Sequence, residues 1–354
     1  MKRLFILPLC LLLLCGCSLR EGISTLAWVF SDQPVSVETH EELLELYDLC
    51  AQLWDDPAAC LDQLAELGWC AVDKNRRCDM VHSEQMEAFL AGEQTSVTFL
   101  VLCGDGGFEA VTLENEQIST MRIAGVNGQA QITWENSYSI TDMNYTERGW
   151  LFLTRDMPDN PTGGNHDGWQ EPTLVYRVQP IDHDLRNACT AYIEPIGYGT
   201  DGFFLTSWGP EHMDTLDYAG LFPAAYSIFY GRDLIYYESP YPVDASETRA
   251  RVPADEYERI MLPLLDLTVE QLRSLAGFDG KSYPVFTVRT VSSRYSDVFP
   301  DVTALEKNTD GTWTLTVNGI SPSLRTDCAF THRITLRPTE SGTVYLSNQV
   351  LALH

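Results

Sequence analysis

Basic side chains are scarce in this chain. It carries 23 Lys and Arg against 50 Asp and Glu, a formal net charge of −27. Such a surface repels nucleic acid and anionic lipid headgroups, which excludes binders of either. The acids are interspersed and form no long block, so they read as solubility rather than as an interaction tail. Several catalytic signatures are missing as well. There is no GxSxG nucleophile elbow, no GxGxxG turn and no phosphate-binding loop. HExxH, a calcium loop and CxxC are also missing, which removes the common zinc, calcium and dithiol-redox classes. Long apolar runs are wanting too. The run Leu4 to Leu14 has eleven residues and contains Pro8, whereas a bilayer-crossing helix needs about twenty.

That short run follows Met1-Lys2-Arg3 and ends in Leu14-Cys15-Gly16-Cys17. The arrangement fits the secretory pattern of a basic start and an apolar centre. It resembles a bacterial lipoprotein signal, in which a branched residue at −3 and a small one at −1 precede the modified cysteine. Cys17 is the well-placed site, because Cys10 and Cys15 each follow a leucine. The implied chemistry is a diacylglycerol thioether on Cys17 with cleavage before it, and two acyl chains anchor durably where one is marginal. The expected location is the outer face of the bacterial cytoplasmic membrane.

Loss of residues 1–16 takes away two basic groups and no acids, leaving a net charge of −29. With Cys17 acylated, seven cysteines remain: Cys50, Cys60, Cys70, Cys78, Cys103, Cys189 and Cys328. Seven is odd, so at least one thiol stays outside any internal disulfide. Export permits disulfides, with Cys50/Cys60 or Cys70/Cys78 the closest candidates in sequence, whereas an anaerobic host would leave them as buried thiols.

After the tether at 17–38, which is apolar over Leu26 to Phe30, Thr39-x-x-Glu42 reads as a capping box. The helix behind it carries Leu43, Leu46, Tyr47, Cys50 and Trp54 at helical spacing. Asp56-Pro57 opens a second helix with Leu61, Leu64 and Leu67 inward and Gly68 as its stop. A third, over Glu84 to Leu90, ends at Gly92. There the period changes to two and a β-meander begins: Thr98 to Val101, Phe108 to Leu113 and Gln131 to Trp134, with turns at Asp105-Gly106-Gly107 and Asn127-Gly128. Trp150 to Thr154 and Thr173 to Val178 extend it across a polar loop. Residues 181–252 show aromatic bursts and no period. A helix then runs from Pro253 through Tyr257, Ile260 and Met261, and Thr268-x-x-Gln271 caps the next. Strands at Val285 to Val291, Val302 to Leu305, Thr312 to Val317, Phe330 to Leu336 and Val344 to Leu346 close the chain.

The predicted class is therefore α+β, with an N-terminal helical hairpin and antiparallel meander followed by a C-terminal helix plus antiparallel β-sheet region. The expected division is a signal at 1–16, a lipidated tether at 17–38 and α+β regions at 39–181 and 182–354. Several segments in order resemble a family of uncharacterised lipoproteins of Gram-positive anaerobes. They are Asp79-Met80-Val81-His82-Ser83-Glu84, Asp105-Gly106-Gly107-Phe108, Tyr257-Glu258-Arg259-Ile260, Leu272-Arg273, Tyr283-Pro284, Asn308 to Leu315, Ala329-Phe330-Thr331-His332 and Ser347-Asn348. The resemblance implies a location and carries no catalytic residue, cofactor or activity.

The grouping nearest to a metal site is His166, Asp167, His183 and Asp184, with Asp159 and Asp182 beside it, although loops gather such residues for turn chemistry too. His332 falls on the apolar face of its strand, where a hydrogen-bonded core histidine is the expected reading. Aromatics from Phe203 to Tyr241, near Asp214, Asp217 and Glu238, suit either a core or sugar stacking. The functional expectation is a non-enzymatic binding or scaffolding lipoprotein with a cell-surface protein or glycan as partner. The alternatives are an exported hydrolase of wall glycan or peptide, and a carbohydrate-binding module. A hydrolase requires two or more titratable groups converging in a pocket.

Overall fold

A computed structural model describes residues 40–157, 172–199, 202–234, 239–244, 249–286 and 297–353. Cys17, the signal segment and the tether fall outside them. The chain is α+β and divides between Pro180 and Ile181 into two compact units.

In the first unit, helix α1 (His40–Cys50) buries Leu43, Leu46 and Cys50. It stops at Cys50 rather than continuing to Trp54, because the chain turns through Leu53 N to Cys50 O and Asp56 N to Leu53 O bonds. Trp54 then packs its ring 5.1 Å from Tyr47 and 6.2 Å from Phe108. Helix α2 (Pro57–Glu66) starts as its sequence requires: the Asp56 carboxylate accepts from Ala59 N, and Pro57 occupies the first turn. Strand β1 (Ala71–Asp73), helix α3 (Ser83–Leu90) and strands β2 (Ser96–Leu102), β3 (Phe108–Glu114), β4 (Gln117–Val126), β5 (Gln129–Tyr145), β6 (Trp150–Arg155) and β7 (Thr173–Arg177) follow. They make one seven-stranded sheet in chain order, antiparallel except for the parallel β1–β2 pair. The β4–β5 turn has Asn127 and Gly128 at φ 54° and 79°, the left-handed pair a two-residue hairpin needs.

The sheet curls. Phe99 of β2 meets Tyr176 of β7 edge-on at 5.0 Å, although five strand spacings in a flat sheet would separate them by about 24 Å. Bulges on both sides of β5, at Arg122/Ile123 and Ile140/Asp142, supply the bend. The concave face encloses Phe99, Val111, Leu113, Ile118, Leu151 and Leu153; the other face packs Leu100, Phe108, Ala110 and Ile123 against α1 and α2.

The second unit contains α4 (His183–Ala188), α5 (Tyr218–Tyr230), β8 (Val243–Asp244), β9 (Arg249–Pro253), α6 (Ala254–Met261), α7 (Val269–Leu275), β10 (Ser282–Phe286), β11 (Phe299–Lys307), β12 (Trp313–Ser321), β13 (Thr326–Thr339) and β14 (Gly342–Leu353). Strands β11 to β14 form a four-stranded antiparallel meander, and β10, β9 and β8 a separate three-stranded sheet. Both contribute to one core centred on aromatic rings, including the stack of Phe222, Tyr257 and Tyr283 with centroids 5.2 and 4.1 Å apart. Helix α5 is buried on every side from Leu221 to Tyr226, as a helix apolar all round must be. Of the strand expected at Val285 to Val291, the described part, through Phe286, pairs with β9 rather than with the C-terminal meander.

Candidate binding groove

Where α1 begins, the outer face of the first unit's sheet is left open. A groove of about 400 Å³ lies there, lined by Leu43 of α1, Ala110 and Thr112 of β3, Ser119 to Met121 of β4 and Glu135 to Ser137 of β5. Register explains its chemistry. Ala110, Met121 and Glu135 stand in one cross-strand row, and Thr98, Thr112, Ser119 and Ser137 in the next. Because side chains alternate between faces, Thr120 and Asn136 belong to the opposite face and present backbone here. The hydroxyl row is internally bonded in two pairs, Thr98 Oγ1 to Thr112 Oγ1 at 3.0 Å and Ser119 Oγ to Ser137 Oγ at 3.1 Å. One row further out, Gln117 Nε2 donates to Ser139 Oγ at 3.0 Å.

Helix α1 is held across the sheet by a close approach at Gly125. A Cβ there would lie 2.5 Å from the Tyr47 hydroxyl oxygen, so any larger residue would displace that ring's tip. At the other end, His40 Nε2 meets Glu135 Oε1 at 2.9 Å, with both side chains well exposed. Glu135 is the one carboxylate among the lining residues. The lining therefore combines hydroxyls with the apolar side chains of Leu43, Ala110 and Met121. A pair of facing acids, as general acid–base hydrolysis needs, is not gathered there.

The thiol with the most charged surroundings is no nucleophile. Cys103 Sγ lies 3.7 Å from Glu109 Oε1, and burial together with that carboxylate pushes it up to about 12, so it stays protonated at neutral pH. In the second unit Glu256 is saturated: Tyr230, Tyr241 and Arg259 all donate to it. Burial alone would raise its carboxyl, and these donors outweigh burial and bring it below the usual range. A carboxylate so held is an ion-pair partner rather than a proton donor.

His166 and Asp167 lie outside the described residues, as do Asp159 and Glu238. His183 bonds Asn187 across one turn of α4 at 3.1 Å, and Asp184 lies 3.9 Å from Lys307 Nζ. Among the described residues no group of three or more His, Cys, Asp or Glu side chains is placed to hold a metal ion. His332 is wholly buried: its Nδ1 donates to Asn348 Oδ1 at 2.8 Å, and its Nε2 accepts from the Tyr198 hydroxyl at 3.1 Å. Trp208 is core as well, its indole donating to Phe203 O at 2.7 Å and its ring 4.8 Å from that of Phe203, while Phe204, Phe222 and Tyr226 are buried in the same core. Among the described residues of that aromatic group, Phe229 and Tyr230 stand substantially exposed. Asp217 caps α5 through Ala219 N and Gly220 N.

Glu135, Thr112, Ser119 and Ser137 carried no motif. For Glu135 and Ser137 the signal was the run Thr133, Glu135, Ser137, Ser139, Thr141, polar at every second residue, which marks the wet face of a strand.

A two-unit α+β chain with an open groove of mixed polar and apolar lining on its first unit is the class that fold and site define. The chain belongs to a family of unknown function (DUF6070), whose model matches residues 50–354. Neither a curated protein nor a solved structure matches it.

Proposed function

We propose that the protein is a membrane-tethered extracellular lipoprotein, anchored through diacylglycerol on Cys17, whose role is non-enzymatic binding or scaffolding at the cell surface. The groove on the first unit is its binding surface, and an extended glycan or peptide its ligand. The observation that carries this reading is the lining: a hydroxyl row of Thr112, Ser119 and Ser137 across three strands, with one carboxylate, Glu135. Each hydroxyl bond to a ligand contributes about 1 kcal/mol net, so affinity would come from several acting along the row. The signal segment supports the address independently of the groove.

Two experiments test the two halves. Metabolic labelling with a palmitate analogue is expected to mark the chain, to fail with Cys17→Ser and to persist with Cys15→Ser; labelling that survives Cys17→Ser removes the anchor. Purified protein is expected to co-sediment with isolated cell wall, and Ser137→Lys, which fills the groove, to abolish this. Release of new reducing ends or free amines from that wall would instead establish a hydrolase.

A further inference from the structure

Among the seven cysteines of the acylated chain, the structure separates the two pairs that sequence proximity favours. Residues Trp69 to Val72 alternate strictly between the two faces of the first sheet: Trp69 and Ala71 enter the core beneath α1 and α2, Cys70 and Val72 the concave core. Cys78 packs on the former side. Cys70 and Cys78 are thus divided by the sheet itself. Cys103 Sγ is turned to Glu109, Cys189 Sγ to Pro300 O and Cys328 Sγ to Thr331 Oγ1.

Cys50 and Cys60 differ. Cys50 is the last residue of α1, and Cys60 lies in the first turn of α2, whose N–H reaches back to Asp56 O. A helical hairpin with so short a turn brings the end of one helix against the start of the next. Both residues are 0% exposed and belong to one core. Both are free thiols in the structure, and each bears on the other's titration: the neighbouring thiol lowers Cys50 and, with burial, raises Cys60.

We propose that Cys50 and Cys60 are a cross-linking site, oxidised to a disulfide that ties the end of α1 to the first turn of α2. The oxidant is a small-molecule or protein disulfide. A Cys50 thiolate attacks one donor sulfur and expels the first donor thiol; Cys60 then attacks the Cys50 sulfur of the mixed disulfide and expels the second. The pair loses two protons and two electrons, and the donor, gaining both, leaves as two thiols. Because both sulfurs are buried, exchange takes place before the hairpin docks, and the bond is afterwards shielded from reductant. The site concerns the chain itself and stands whatever the groove binds.

Full-length protein is refolded in a mixture of oxidised and reduced glutathione, alkylated with N-ethylmaleimide under denaturing conditions, and digested with a protease that cleaves at Asp. Asp55 and Asp56 lie between the two cysteines, so the expected product is two peptides joined Cys50 to Cys60, lighter by two hydrogens. Reduction is expected to lower the folding equilibrium constant about a hundredfold for so small a loop. Cys328→Ser retains this redox dependence and Cys60→Ser abolishes it. Folded protein in which both Cys50 and Cys60 recover as alkylated thiols, or a bond from either to another cysteine, overturns the proposal, and this mapping needs no variant to fold.

Discussion

The two units solve the same problem, a polar group in a sheet protein, in opposite ways. The first keeps the hydroxyls of Ser119 and Ser137 on an open sheet face, where they bond each other and water can replace either partner, while Thr120 of the same strand is buried. The second encloses its polar groups. Asn348, 1% exposed, donates through Nδ2 to Phe204 O at 3.1 Å and Thr206 O at 2.8 Å, and accepts from His332, which accepts from Tyr198. Every member of that network is satisfied, and it links β13 and β14 to the loop carrying Phe204. A closed network of this kind fixes a unique arrangement and leaves nothing for a ligand, whereas the exposed row offers donors at little cost. The proposed recognition would thus fall to the first unit, while the enclosed network of the second serves its own packing.

The most severe way to break this contrast is Asn348→Ala. It strands the His332 N–H and two backbone carbonyls in a dry core and is expected to cost about 4 kcal/mol of the second unit's stability. Native-state hydrogen exchange on β13, with β3 of the first unit as internal reference, reads the difference. A cost below about 1 kcal/mol would mean that water reaches the network.

Acid gives the next largest effect, and the two units should move in opposite directions. Burial holds His332 down at about 4, against an ordinary 6.5, with the bond to Asn348 opposing. The folded value is the lower, so the unfolded chain binds the proton first. Stability is full above pH 6.5, declines on acidification and is lost by about 3 kcal/mol once pH has fallen through 4. His82 of the first unit shifts the other way. Its burial alone would lower it, but bonds to Ala65 O at 2.9 Å and Glu84 at 2.8 Å outweigh burial and raise it. Its stabilisation is present below pH 6.5 and disappears as pH rises through the raised folded value. Between pH 7 and 5, exchange corrected for its intrinsic pH dependence should thus destabilise β13 and protect the segment joining α2 to α3. His332→Gln should flatten the first response alone.

Local signals were legible in sequence, and non-local ones were not. Asp56-Pro57 at the head of α2, Asn127-Gly128 and the Thr268/Gln271 capping box of α7 depend on three or four consecutive residues, and each takes the conformation its chemistry dictates. Helix α5 was invisible because a segment apolar on every side has no period, and Pro223 within it argued against a helix. Strand β5 reads as four residues from composition. It runs from Gln129 to Tyr145 because β4 and β6 pair along its whole length. The groove was hidden for the same reason. Thr112, Ser119 and Ser137 become a row only through the register of β3, β4 and β5, which no single segment specifies. His332 is the instructive middle case: its place on an apolar strand face marked it as core, while its partners Tyr198 and Asn348 come from distant parts of the chain.

The smallest expected effect sharpens the contrast most. Ser137→Ala removes the same kind of group as Asn348→Ala does, a hydrogen-bonding side chain in a sheet. Its partner Ser119 is exposed to solvent and bonds water instead. The stability of the first unit should then change by less than about 0.5 kcal/mol, while co-sedimentation with cell wall weakens severalfold if the hydroxyl contacts the ligand. Denaturant titration and wall binding measured on one preparation separate these outcomes. A loss of stability near that of Asn348→Ala would mean that the row is structural and the groove closed to ligand. Unchanged stability with weakened binding is what a row held open for recognition requires, since only there is a hydroxyl worth more to a partner than to the fold.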